Sequence, residues 1–202
     1  MNEGIDSLAA LTERLRRRAP AYFDLITSDS LEEFEAAFNA LLETAIFHME
    51  KNSRNLASLD EEGLTAVLAG TLTMPGLVVT QEQNSNGHVD LTIEVSHCTP
   101  ARTKLGEAKI YSGPKYHIKG MGQLLGRYTT GRETSGLLIN YVRQANIARI
   151  ATVLMAELDT KLPEDQVGSC QGHTLKWSFT TKHRHSSGEI LSLSHVACNL
   201  HF

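Results

Sequence analysis

Three β-rich stretches, Leu77–Gln81, His88–Val95 and Lys104–Tyr111, follow one another between two helical segments. Turn-forming residues separate them, Asn84-Ser85-Asn86-Gly87 and then Thr99-Pro100. The connection Cys98–Thr103 is too short for a crossover helix, so the second and third stretches are antiparallel neighbours. Gly136–Val142 then reads as a buried strand, and an amphipathic helix lies between it and the three stretches. This alternation of strands and helices predicts an α/β domain.

That intervening helix is expected over about Tyr116 to Thr130. At 100° per residue Met121, Leu124, Leu125 and Tyr128 share one face, and Lys119, Gln123 and Arg127 form a polar row on another. Ser58 and Asp60 offer an N-cap for a helix starting near Glu61 and carrying Leu64, Val67, Leu68 and Leu72. Upstream, Leu8, Leu11, Leu15 and Ala19 recur at helical spacing before Arg16-Arg17-Arg18 gives way to Pro20. Asp29 or Ser30 can cap a long helix with Leu31, Phe34, Phe38, Leu41, Leu42, Ala45 and Met49 on one face and acids on the other. Residues 1–57 are therefore expected to form an N-terminal helical extension, and 58–202 an α/β domain. A helix over Ala145–Leu158 and an antiparallel pair, Thr174–Thr181 and Glu189–Val196 about a turn at Ser186–Gly188, complete the reading.

The chain has 202 residues, enough to bury a core without disulfides or metal, and its three cysteines are scattered. No apolar run reaches the ~18 residues of a membrane span, and no signal peptide is recognisable. No membrane association and a reducing cytoplasm are the expectation. The net charge of −4 hides a strongly uneven distribution. Residues 1–62 carry 6 basic and 13 acidic side chains, whereas residues 101–132 carry 7 basic and a single acid, Glu107. Bulk basicity is thus excluded as a route to nucleic acid. Glu107 becomes the residue to explain.

Glu107 and Lys109 are two apart on a strand, so both side chains leave one face. Asp90, on the preceding strand, can lie alongside Glu107. Two carboxylates on adjacent strands are a usual oxygen set for Mg²⁺, and a neighbouring lysine can orient water or stabilise charge developing on phosphorus. Glu94 shares the strand face of Asp90 but lies about 13 Å further along it, too far to share one ion. Cys170-x-x-His173 and His195-x-x-Cys198-x-x-His201 superficially match zinc spacing, yet on strands residues three apart point to opposite faces. His183 and His185, beside Lys182, read as polar surface with a further nucleic-acid contact as the alternative.

An acid on one strand, Glu-x-Lys on the next, and the order helix, three strands, helix, strand over residues 58–142 resemble the PD-(D/E)xK, or restriction-endonuclease-like, nuclease superfamily. The resemblance implies Asp90 and Glu107 as ligands of Mg²⁺ or Mn²⁺, with Lys109 as the catalytic cation. It implies a further glutamate on the first core helix, with Glu62 the best match and Glu61 second. In some branches a glutamine on the helix after Glu-x-Lys is followed one turn later by tyrosine, as Gln123 and Tyr128 are here. Val89 stands where the motif has proline, and Tyr128 follows Gln123 by five rather than four, which places it on the apolar face of an α-helix. Lys115, His117, Lys119 and Arg127 are candidate phosphate contacts. The activity so implied is metal-dependent hydrolysis of DNA, by an oligomeric or partner-controlled effector of a prokaryotic anti-phage or restriction system. A structure-specific or RNA nuclease, or an inactive nuclease-fold subunit with a protein partner, are the alternatives. The acidic helix faces before residue 62 offer docking for a basic partner.

Overall fold

The computed structural model describes residues 7–84, 88–95 and 101–202, and within them every helix opens on a residue suited to open one. Ser7 caps α1 (Leu8–Arg18), Pro20 opens α2 (Pro20–Ile26), and Ser30 caps α3 (Leu31–Lys51). Asp60 caps α4 (Glu61–Leu72), Pro114 opens α5 (Pro114–Gln123), and Asn146 caps α6 (Ile147–Lys161). At α3 the cap is reciprocal. Ser30 Oγ accepts from the Glu33 N–H at 3.1 Å, and the Glu33 carboxylate accepts from the Ser30 and Asp29 N–H groups. The first expected helix ends where the sequence places its end, before Pro20, which lacks the N–H that would continue α1 and starts a further short helix, α2, that the sequence reading did not include.

The strands are β1 (Val78–Asn84), β2 (His88–Val95), β3 (Arg102–Ile110), β4 (Ser135–Val142), β5 (Gln171–Gly172), β6 (Phe179–Arg184) and β7 (Ile190–Asn199). They form one mixed sheet in the order β1-β2-β3-β4-β7-β6-β5. β1, β2 and β3 are antiparallel neighbours, β4 is parallel to both β3 and β7, and β7, β6 and β5 are antiparallel. Of the expected turns Asn84–Gly87 and Thr99-Pro100, Asn84 ends β1 and the other residues lie outside the described ones. Trp177, at φ +58°, interrupts the extended chain, so the strand expected from Thr174 starts only at Phe179.

β4 explains the layering. Leu137, Ile139 and Tyr141 join the apolar cluster of α3 and α4 (Phe38, Leu42, Leu64, Leu68) on one face of the sheet. Leu138 and Val142 join Met121, Leu124, Leu154 and Leu158 on the other. A strand buried on both faces needs a continuous apolar run, as Gly136–Val142 has. α3 belongs to the same cluster as the sheet. Two basic residues of the 101–132 segment hold it there. The Arg102 guanidinium donates to the Ser30 and Asp29 carbonyls at 2.7 and 3.0 Å. Lys104, its side chain 2% exposed, lies 2.7 Å from Glu35 Oε2, while Glu35 Oε1 accepts from Ser135 Oγ at 2.7 Å. Among the described residues no helix is long and apolar enough to cross a membrane.

Candidate active site

The β2–β3 pairing runs from Val95↔Arg102 to Leu91↔Gly106 and stops there, although β2 stays paired to β1 as far as Gln83↔Val89 and beyond. Past Gly106 the outward N–H groups of β3 would lack ladder partners. Two carboxylates supply them. Asp90 Oδ2 accepts from the Ala108 N–H at 2.9 Å, and Glu61 Oε2 from the Ile110 N–H at 2.7 Å. The parting of the strands brings Asp90, Glu61 and the intervening Glu107 and Lys109 together.

The Lys109 ammonium sits among three carboxylates, 2.6 Å from Glu107 Oε1, 3.1 Å from Glu61 Oε1 and 3.7 Å from Asp90 Oδ2. Glu107 is 1% exposed and its Oε2 is buried with no hydrogen-bond partner. Burial is the main force pushing the Glu107 carboxyl up to about 7. The Lys109 bond opposes it, and the charges of Asp90 and Glu61 add to it. Burial also works against the Lys109 ammonium, but the Glu107 bond and the three negative fields outweigh it and raise its pKa. The α5 backbone approaches closely on the other side. A Cβ at Gly120 would stand 3.2 Å from Lys109 Cγ, so a side chain there would crowd the lysine stem. The acids face outward through Asp90 and Glu61 onto a cleft of about 260 Å³ that Asp60, Glu62, Thr65 and Gln81 also line.

Glu61, not the preferred Glu62, is the helix glutamate that meets Lys109. Glu62 is exposed at the cleft edge, where its carbonyl accepts from Gln81 Nε2 at 2.9 Å. Helix phase contains the signal. Glu61 is one, two and three turns from Thr65, Leu68 and Leu72, all buried, whereas Glu62 shares its face with exposed Ala66 and Gly70. Glu94 is exposed further along β2.

The helix expected over Tyr116–Thr130 changes type. α5 ends at Gln123 and a π-helical turn spans Leu124–Tyr128, closed by the Thr129 N–H bonding the Leu124 carbonyl at 3.2 Å. This wider i→i+5 geometry brings Tyr128 closer to one turn beyond Gln123 than an α-helix would, while it stays on the apolar face with Leu124 and Leu125 as its spacing predicts. Tyr128 is buried. Its hydroxyl pKa is raised first by burial and then by the charges of Glu107 and Asp90. Gln123 is half-buried and its side chain makes no hydrogen bond among the described residues. Lys115, Lys119 and Arg127 are exposed on α5 and the π-helical turn, without ion-pair partners among the described residues.

His117 must be reassigned. It is 1% exposed and points into the sheet, so it cannot touch a phosphate backbone. It belongs to a buried chain that sequence spacing did not reveal. Its Nδ1 meets Asn140 Oδ1 at 3.0 Å and its Nε2 meets His195 Nδ1 at 2.9 Å. Thr181 Oγ1 lies 2.7 Å from both His195 Nε2 and His183 Nε2, and His183 Nδ1 lies 2.9 Å from the Glu164 carbonyl. His183 is thus also interior rather than surface. Between two acceptor ends, three neutral imidazoles and one hydroxyl bring four protons to five contacts. Turning the Asn140 amide so that its NH₂ faces His117 supplies the fifth without a charge. Burial favours that neutral state, lowering His117 to about 4 and His183 and His195 below their ordinary value. His195 and Cys198 lie on opposite faces of the sheet, as their spacing requires, and Cys170 Sγ donates to the Met155 carbonyl.

Among the described residues no three His, Cys, Asp or Glu side chains converge as a ready-made ion cage. Mg²⁺ does not require one, since one or two carboxylates, with water and substrate oxygens, commonly hold it. Asp90 and Glu107 fit that pattern. They are hard oxygen donors on neighbouring strands, and Glu107 keeps one buried oxygen unpartnered.

No protein family matches the chain, and neither curated proteins nor solved structures show a significant match to it.

Proposed function

We propose that this chain is a metal-dependent nuclease with a restriction-endonuclease-like core over residues 58–142. The observation that carries the reading is the unpartnered buried oxygen of Glu107 beside Lys109 and Asp90, at the point where β2 and β3 part. Three carboxylates against one ammonium leave two formal negative charges, a balance suited to a divalent cation. Asp90 and Glu107 would hold Mg²⁺ or Mn²⁺, with Glu61 bordering the site. The ion when bound supplies Lewis-acid stabilisation of a phosphoryl oxygen.

The remaining work falls to the chain. Lys109, held by Glu61 and Glu107, presents a fixed positive charge that can orient water and offset charge gained at phosphorus. Lys115, Lys119 and Arg127 offer exposed positive charge on α5 and the π-helical turn for a phosphate backbone. Tyr128 feels the charges of Glu107 and Asp90, and Gln123 precedes it at the end of α5. DNA is the favoured substrate. An oligomeric or partner-controlled anti-phage or restriction effector acting in the cytoplasm fits this chemistry.

The experiment is strand cleavage on a panel of supercoiled, linear and branched DNA and single-stranded and duplex RNA, with Mg²⁺, Mn²⁺ or EDTA. Metal-dependent cutting of DNA is expected. Cutting confined to RNA or to branched DNA selects the other nuclease readings. One specific observation favours an inactive nuclease-fold subunit: Lys109 is already paired with every acid of the site, as in a structural ion cluster. Absence of both cutting and metal binding selects that reading.

A further inference from the structure

α1 is the one described helix with no buried residue. Leu8, Leu11 and Leu15 are 80%, 52% and 38% exposed and form a single ridge. Its charges are unevenly spent. Glu13 lies within 4.0 Å of Arg16 and 3.3 Å of Arg17, whereas Arg14 and Arg18 have no ion-pair partner among the described residues. At 100° per residue those two arginines flank the leucine ridge on the same side, at about 240° and 280° from Leu8. Between α2 and α3 lies a groove of about 480 Å³. Its lining is mostly small and apolar, with Pro20, Ala21, Ala36, Ala37 and Ala40, and the charged residues lining it are Asp24 and Glu33. Asp24 is exposed and unpaired among the described residues. The backbone N–H groups at Asp29 and Ser30 hold the Glu33 carboxyl below its usual range, so it stays anionic.

An arginine-flanked leucine ridge and an acid-rimmed alanine groove are complementary in shape and sign. One molecule cannot join them, because α1 ends at Arg18 and α2 begins at Pro20, leaving Ala19 alone to reverse the chain. We propose that α1 of one copy docks into the α2–α3 groove of a second copy, and reciprocally, in a twofold dimer. The same exchange covers both exposed ridges and both grooves, the condition for a closed isologous interface. Alanines in the floor let the helices approach closely and leave room for leucine side chains between them. This surface is separate from the acid cluster and does not depend on the nuclease reading.

The test is sedimentation of the full chain over a concentration series, in low and high salt, with helicity monitored by circular dichroism. The wild type is expected to dimerise reversibly and more weakly as salt rises. Leu8→Glu/Leu11→Glu should remain folded and monomeric, since neither side chain is buried in the protomer. Asp24→Arg should weaken the dimer about tenfold or more, and adding Arg14→Glu/Arg18→Glu should restore it by reversing the charges on both sides. A wild type that is monomeric at every concentration overturns the proposal. So does a dimer indifferent to the leucine or charge variants. Co-sedimentation of a monomeric chain with anionic vesicles overturns it too, and assigns the ridge to a lipid surface.

Discussion

Glu107 Oε1 and Lys109 Nζ lie 2.6 Å apart on one strand face, and the other oxygen of the same carboxylate is buried without a partner. A buried carboxylate ordinarily has a donor on each oxygen. This half-satisfied pair identifies where the cluster can accept one further cation or proton.

Glu107 therefore sets one pH dependence. Its folded value of about 7 stands above the ordinary 4.5, so the folded chain holds the extra proton between those values. Its contribution to stability falls as pH rises from about 4.5 to 7 and is then constant, by roughly 3 kcal/mol in all. Glu107→Gln removes that fall. Urea unfolding in EDTA across this range, wild type against variant, measures it.

The histidine chain has the opposite sign. His117 at about 4, with His183 and His195 also lowered, means the unfolded chain binds more protons below pH 6.5. The contribution of these rings to stability rises with pH through the range from about 4 to 6.5, opposite to the fall set by Glu107. Asn140→Asp places a carboxylate against His117 Nδ1 and should draw a proton onto that ring. Its imidazole resonances would then titrate well above those of the wild type. Thr181→Val, which removes the hydroxyl between His183 and His195, should cost about 2–3 kcal/mol.

Lys104 and Glu35 predict an asymmetry. Lys104 is 2% exposed and Glu35 24% exposed, so only the glutamate can recover water when its partner is removed. Glu35→Ala strands a buried ammonium and should cost about 3–5 kcal/mol, whereas Lys104→Met should cost clearly less. Denaturant midpoints of the two variants decide this.

Metal affinity should follow Glu107. Its carboxyl must ionise to bind a cation, so Mn²⁺ affinity should increase from pH 6 to 8 and protons should be released on binding. Calorimetry in buffers of different ionisation enthalpy detects the release. Glu107→Gln should abolish binding without unfolding the protein.

The fold was legible where pattern and period agree. The apolar run of β4, the Ser30 cap of α3 and the Asp60 cap of α4 each state their structure locally. Sequence reasoning also placed Asp90, Glu107 and Lys109 near one another, because strand period and a short connection leave few other arrangements. It misjudged residues whose position depends on tertiary geometry. Glu61 and Glu62 are separated only by the phase of α4 against the sheet. Tyr128 does lie on the apolar face with Leu124 and Leu125, as its spacing predicts, but the π-helical turn that carries it has no signal in the sequence pattern. His117 carries a polar side chain on a polar-looking helix, and only packing against β4 and β7 shows that Asn140 and His195 receive it. Arg102 and Lys104 were legible only as part of a locally basic segment, and it is their pairing with α3, to the Ser30 and Asp29 carbonyls and to Glu35, that tertiary geometry alone reveals.

The central claim is that Lys109 and Glu107 carry a metal-dependent phosphodiester hydrolysis. The most direct measurement is cleavage of supercoiled DNA in Mg²⁺ or Mn²⁺ by the wild type, Lys109→Met and Glu107→Gln, each confirmed folded and run beside EDTA controls. The account predicts nicking by the wild type that EDTA abolishes, and a loss of at least about a hundredfold in both variants. Cleavage retained by both folded variants, or unaffected by EDTA, would contradict it.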